Sequence, residues 1–271
     1  MEKPKIILNQ MLDLGGLATK NNFYSPQAKT ILGALVHTRK AFDELEQQKL
    51  IQPLSTITNV RNLCNEQFYA ITRLGAKYVD RTKEHVWKGG PKSPYNIMHE
   101  SMVRDVALSF LRNYPDYIFE IKYNERYSTL RPDLVIKMTH KLSLKQHIFF
   151  VEIERKKTVD RVVKEKLQKY EKVLANFNFK NHNLNAPVKV LIVYSNLDYN
   201  CFWRPQEYEN NQVKTEIDKL HKQVIHLAWL SRKLSDNRYR FLSIHNFYKT
   251  DIPIWLTPTE KQGELLKGTL T

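Results

Sequence analysis

The ten residues from Ile148 to Lys157, read as IFFVEIERKK, limit the possible fold more than any other stretch of this chain. Their apolar density is that of a buried strand, yet acids sit inside it. Side chains alternate between the faces of a strand, so Phe150, Glu152, Glu154 and Lys156 share one face. Phe149, Val151 and Ile153 share the other. A carboxylate taken out of water without a partner is very costly, so acids in such a strand are expected to be paired or bound to metal. A third acid, Asp133, lies fifteen residues upstream of Ile148, in Arg131-Pro132-Asp133, ahead of the apolar run Leu134-Val135-Ile136. Proline is tolerated at the first residue of a strand, at an edge or at a bulge. Asp133 is therefore expected where a second strand opens into a cleft. Two neighbouring strands bringing acids to one spot, with a lysine beside them, predict a divalent-metal site suited to phosphodiester chemistry.

The charge balance bears on the partner. Lys and Arg number 43 against 28 Asp and Glu, a net charge of +15. Such a surplus favours a polyanion, either nucleic acid or an anionic membrane, over the plain alternative of a basic soluble protein. No apolar run approaches the roughly 18 residues that span a bilayer, and the N-terminus lacks the apolar segment of a signal peptide. Cys64 and Cys201 match no zinc or redox spacing. A cytoplasmic location without membrane insertion is the expectation. At 271 residues the chain holds one large domain or two small ones. Residues 1–82 read as a helical unit ending in a hairpin. The segment 83–94 reads as a linker, marked by Gly89-Gly90-Pro91 and Pro94. Residues 95–271 read as an α/β domain.

In the first part, Ile7, Met11, Leu14 and Leu17 recur at helical spacing, predicting a helix over about 6–17. Ser25-Pro26 is a good helix start. Residues 38–51 read as a helix running into a strand, with Phe42 and Leu45 inward. Residues 67–79 read as a strand and a closing helix. The runs Leu45-Glu46-Gln47-Gln48-Lys49-Leu50-Ile51 and Tyr69-Ala70-Ile71-Thr72-Arg73-Leu74-Gly75 resemble the winged helix-turn-helix pattern. That resemblance puts His37, Thr38, Arg39 and Lys40 at the front of a DNA-reading helix, with Arg61, Arg73 and Lys77 supplying charge nearby. A winged helix that serves only as a protein-contact module is the competing reading.

In the second part, a helix over 95–114 carries Ile97, Met98, Met102, Val106, Phe110 and Leu111, with His99, Glu100 and Asp105 on or beside the apolar stripe. Strands are expected at 117–123, 128–138 and 148–156. A helix follows at 162–175 with Val163, Leu167, Tyr170 and Leu174 inward. Lys166 and Tyr170, four residues apart, share one face of it. Strands at 188–194 and 223–230 complete the series. This order resembles the restriction-endonuclease-like fold, and Pro132-Asp133 with Glu154-Arg155-Lys156 resembles its Pro-Asp…Glu-x-Lys motif. Hard oxygen ligands suit Mg2+ or Mn2+, and such an ion neutralises the phosphate and acidifies a bound water. Asp133 with Glu152, Glu154 or both would hold it, and Lys156 would steady the attacking oxygen or the phosphate. Lys166 suits a phosphate contact; Glu100 and His99 would join from the helix, or else lie on a solvated or hydrogen-bonded flank. Tyr170 reads as a core tyrosine rather than a nucleophile, and Trp203, Trp229 and Trp255 as core or docking aromatics. The competing reading of the acids is an internal ion-pair network with Arg131 and Arg155.

Taken in order, the winged-helix pattern, His99, Arg131-Pro132-Asp133, Phe150-Val151-Glu152-Ile153-Glu154-Arg155 and Lys166-Leu167-Gln168-Lys169-Tyr170 resemble the replication-relaxation family over about 5–195. Within it they are most similar to the MobC class of conjugative relaxases. The resemblance implies a protein that nicks one strand of duplex DNA at a plasmid or integrative-element origin of transfer. It also implies a type IV coupling protein and relaxosome components as partners. Many members carry aspartate at the place of Glu154 and no lysine two residues on; this chain has both glutamates and Lys156. A covalent protein–DNA intermediate does not follow from the resemblance, and the oligomeric state stays open. The His-hydrophobe-His triplet of tyrosine relaxases is absent from the nine histidines; His221 and His226 sit five apart across an expected helix-to-strand junction. Two other functions share the pattern: a non-catalytic DNA-binding accessory protein of replication or of the relaxosome, and an endonuclease that cuts both strands. A metal between the acids marks the enzyme; a Lys or Arg side chain filling that space marks the accessory protein.

Overall fold

The computed structural model describes residues 3–23, 35–58, 65–82, 94–155, 158–178, 184–195, 211–234, 238–249, 255–258, 267–268 and 270. The chain divides into two compact units, 1–108 and 109–271, and the division falls inside a long helix, α4 (Pro94–Asn113).

The first unit begins with α1 (Lys3–Asp13), which buries Ile7, Leu8, Met11 and Leu12. Gly15 and Gly16 both take positive φ, which ends the helix and sends Leu17 into β1 (Leu17–Thr19) rather than into a further helical turn. After α2 (Leu35–Gln47) the chain runs into β2 (Ile51–Thr58), β3 (Asn65–Ile71) and α3 (Arg73–Tyr78). The three strands form an antiparallel sheet in the order β1-β3-β2. Phe42 and Leu45 are fully buried, and Phe42 meets Phe23 and Tyr69 edge-on at 5.3 and 5.1 Å. The Ile-Thr-x-x-Gly run has a physical reason. Thr72 caps α3, its hydroxyl accepting from the Gly75 amide at 3.0 Å and donating to the Lys49 carbonyl at 2.8 Å. At Gly75 a Cβ would lie 2.2 Å from the Leu50 carbonyl oxygen, so no other residue fits. Asn22 donates to the buried Asp105 carboxylate at 2.8 Å, tying the middle of α4 into this unit.

The second unit is a seven-stranded mixed sheet with helices, in the order β10-β9-β8-β7-β6-β5-β4. Its strands are β4 (Tyr117–Tyr123), β5 (Leu134–His140), β6 (Gln146–Glu154), β7 (Val188–Tyr194), β8 (Tyr239–Ser243), β9 (Trp255–Leu256) and β10 (Lys267–Gly268). β4, β5 and β6 run antiparallel; β6, β7 and β8 run parallel. A parallel pair requires a crossover, and helices supply it. One crossover is α5 (Val159–Arg161), a π-helical stretch Val162–Leu167, and α6 (Gln168–Ala175). The other contains α7 (Asn211–Leu230).

Four expectations are corrected. The helix expected over about 6–17 ends at Asp13, and Leu17 lies in β1. The strand expected over 223–230 is the last part of α7: Leu220, Val224, Leu227 and Ala228 are buried, at helical spacing. His221 and His226 therefore lie on one helix. The strand expected from Ser128 starts at Leu134, because Tyr127 and Leu130 close a tight turn through reciprocal backbone bonds of 2.9 Å. In the crossover helix Val162, not Val163, is fully buried with Leu167, since the π-turn places residues five apart on one face. The Ser25-Pro26 helix start and Trp203 fall outside the described residues. Trp255 is fully buried in β9.

Candidate functional site

Asp133, Glu152, Glu154 and Lys166 come together at one end of the β5–β6 pair. The ladder between these strands runs from Thr139↔Gln146 to Leu134↔Val151, so β6 outlasts its neighbour. Past the end of the ladder, Asp133 takes over: its Oδ2 accepts the Ile153 amide at 2.8 Å. β6 alternates as expected, and both Glu152 and Glu154 are buried. Opposite them stands the π-helical stretch. Lys166 reaches Glu152 at 2.9 Å and Glu154 at 3.1 Å, one ammonium between two carboxylates. One turn on, the buried Tyr170 hydroxyl donates to the other oxygen of Glu152 at 2.6 Å. π-turns inside helices occur frequently at functional sites, and here one carries the lysine that holds the acids.

Burial first, and the nearby charge of Asp133 second, raise the Glu152 carboxyl to about 7, against the pull of Lys166 and Tyr170. For Lys166, burial alone would lower the pKa; the charges of Glu152, Glu154 and Asp133 overcome it, and the ammonium is held above its usual range. Burial, then Glu152, pushes the Tyr170 hydroxyl well up, so it is a proton donor in a hydrogen bond and not a nucleophile at neutral pH. Tyr194 ends β7 directly beside Glu154 in register, and burial with that neighbour raises it to about 12. Tyr194 was not among the expected site residues; its only signal was a tyrosine closing an apolar strand.

The remaining expected residues are placed as follows. Lys156 and Arg61 lie outside the described residues, as do the side chains of His37 and Thr38, whose backbone is in α2. Arg39 and Lys40 on α2, and Arg73 and Lys77 on α3, are exposed. In the first unit the Glu100 carboxylate pairs with Arg104 one turn along α4, both buried, and His99 is half-buried. Of the arginines expected in a competing network, Arg131 donates to the Asn124 carbonyl at 3.2 Å and Arg155 is buried, while Lys166 forms ion pairs with both Glu152 and Glu154.

A divalent cation can be tested against this donor set. Among the described residues no group of three or more His, Cys, Asp or Glu is spaced to hold a metal. The Lys166 ammonium already bridges the two glutamates. The donor chemistry alone suits such an ion, since the carboxylates of Asp133, Glu152 and Glu154 are hard oxygen ligands.

No curated protein and no solved structure matches the chain. A family model described as replication-relaxation matches residues 23–188, more than half of its length. The crossover helix with Lys166 and Tyr170, both strands that bear the acids, and α2 to α3 of the first unit all fall inside that match, and the chain belongs to the replication-relaxation family.

Proposed function

We propose that this protein is a metal-dependent relaxase that nicks one DNA strand at a plasmid or integrative-element origin of transfer. Family membership supports a role in plasmid replication or mobilisation. The observation that carries the chemistry is the convergence of Asp133, Glu152 and Glu154 on Lys166, with Glu152 raised to about 7. On this reading the second unit is a restriction-endonuclease-like core, and β4 to β8 with the crossover helix are its sheet. The first unit is a winged helix that docks the duplex through Arg39, Lys40, Arg73 and Lys77, exposed cations whose phosphate contacts make binding strongly salt-dependent. A type IV coupling protein and relaxosome components as partners follow from the relaxase reading and stand or fall with it.

The residues divide the work. Asp133, Glu152 and Glu154 would hold Mg2+ or Mn2+, which supplies charge neutralisation at the phosphate and an acidified water. Asp133 is oriented by the Ile153 amide, and Glu152 by the Tyr170 hydroxyl. Lys166 is a point charge at the same place: it balances the acids, and it offers a cation to a phosphate oxygen when they are otherwise satisfied.

The same lysine supports a second reading. An ammonium filling the space between the glutamates is what a non-catalytic, DNA-binding accessory protein would have. A supercoiled plasmid carrying the neighbouring origin separates the two. The relaxase converts it to open circles with Mg2+ or Mn2+ and not with EDTA, and Asp133→Ala stops conversion while binding survives. Nicking undiminished in both Asp133→Ala and Glu154→Ala would sink the site. Linear product would mark an endonuclease of both strands; origin binding with no conversion in either metal would mark the accessory protein.

A further inference from the structure

We infer that the turn joining β5 to β6, Lys141-Leu142-Ser143-Leu144-Lys145, is a docking tip for an anionic lipid surface. Leu142 is 90% exposed and Leu144 70%, the two most exposed large apolar side chains among the described residues. Leu144 also has φ 56°. A left-handed backbone suits glycine or asparagine and opposes a bulky side chain. The other non-glycine residues with positive φ here are Lys49, Asp80, Asn124 and Ser128, all polar. One position thus carries two unfavourable choices, an exposed leucine and a leucine in the wrong conformation. Local rules broken without structural benefit mark functional sites.

The turn is well built. Leu144 donates its amide to the His140 carbonyl at 3.0 Å, and His140 donates to the Lys145 carbonyl at 2.9 Å. Ser143 closes on the His140 ring at 3.1 Å through its amide and 3.0 Å through its hydroxyl. Lys141 is held from both ends, its amide donating to the Asp116 carbonyl at 2.9 Å and its Nζ to the Pro115 carbonyl at 2.7 Å. The leucines are therefore displayed by a fixed scaffold.

The occupant follows from shape and charge. A convex tip with two aliphatic side chains seeks a yielding apolar medium. Lys141 and Lys145 flank it, and Lys189 stands close enough to Arg240 and to Lys145 for their repulsion to add to burial in lowering it. Leucines that enter the acyl boundary while lysines meet anionic headgroups form the usual two-part peripheral anchor. The tip lies at the opposite end of β5 and β6 from Asp133 and Glu154. That is roughly 25 Å along the strand at 3.3 Å per residue. Lipid docking would leave the acid end open to DNA.

The test is co-sedimentation of the full chain with vesicles of equal parts phosphatidylglycerol and phosphatidylcholine, and with vesicles of phosphatidylcholine alone. The wild-type chain is expected to sediment with the first and not the second. The double variant Leu142→Ser/Leu144→Asn is expected to lose roughly tenfold in partition, with circular dichroism and origin-DNA affinity unchanged. Because a charge of +15 attracts anionic vesicles by itself, the leucine variant is the deciding arm; Leu142→Ser alone, at an ordinary φ, gives a smaller loss in the same direction. Equal sedimentation of variant and wild type overturns the inference, as does equal binding to neutral vesicles or no sedimentation at all. A loss of DNA affinity in the variant would reassign the tip to nucleic acid, and a wild-type dimer that the variant breaks would reassign it to a second copy; either result also overturns lipid docking.

Discussion

The two ends of β6 break the ordinary partition of residues in opposite ways. At one end Glu152 and Glu154 are buried charges; at the other Leu142 and Leu144 are exposed hydrocarbon. The acid end is compensated within the chain by the Lys166 ammonium, the Tyr170 phenol and the Ile153 amide among others. At the leucine end the hydrogen bonds of the turn fix the backbone and leave both leucine side chains in water. A compensated violation predicts that removing the partner is costly. An uncompensated one predicts that removing the residue is harmless to the fold.

The largest effect should follow from Lys166→Met. It leaves two buried carboxylates beside Asp133 without their cation, a class of change that costs about 3–5 kcal/mol. Urea denaturation at pH 8 should show that loss. At pH 5 the loss should shrink, because Glu152 then takes up a proton and no longer needs the ammonium. Equal destabilisation at both pH values would mean that packing of the lysine stem, and not its charge, holds this end together.

Glu152 itself sets the next effect. Its folded pKa is raised from 4.5 to about 7, so the folded chain binds the proton more tightly than the unfolded chain between those values. Stability contributed by this group is fully present below pH 4.5 and is lost as pH rises to 7. The loss is at most about 3 kcal/mol by linkage, and coupling to Lys166 reduces it. Glu152→Gln should flatten this slope, so the variant gains on the wild type as pH climbs from 5 to 7.5. A parallel pair of stability curves would refute the raised pKa. Tyr170→Phe should cost less, about 1.5–3 kcal/mol for a hydrogen bond to a charged group. It should also raise Glu152 further, which a shift of the same stability curve to higher pH would register.

These contrasts also explain what could be read from the chain beforehand. Alternation gave β4 at 117–123, and a short apolar run rich in valine gave β7 at 188–194, both to the residue. The acids of β6 were legible as an energetic oddity, and Lys166 with Tyr170 as a shared helical face. The bridging geometry was not, because a π-turn leaves no mark in a 3.6-residue pattern. The last part of α7 was misread as a strand: Val224 to Leu230 is a dense apolar run whose helical spacing is visible only with Leu220 included. Short β8, β9 and β10 owe their place to neighbours in the sheet rather than to their own pattern. The leucine tip was invisible because exposure and φ are not properties of a sequence.

The smallest effect is the one that most sharpens the comparison. At Leu144 the native backbone is left-handed, which costs an ordinary side chain about 1 kcal/mol, and asparagine or glycine relieves it. The turn's own bonds are made by backbone groups and by Ser143 and His140, so Leu144→Asn removes none of them. Leu144→Asn should therefore stabilise the second unit by a few tenths to about 1 kcal/mol, seen as a higher urea midpoint at unchanged slope. That gain would show the leucine to be retained against the interest of the fold. A loss of stability instead would mean that Leu144 packs against the chain in solution, and the two ends of β6 would then differ only in what they bury.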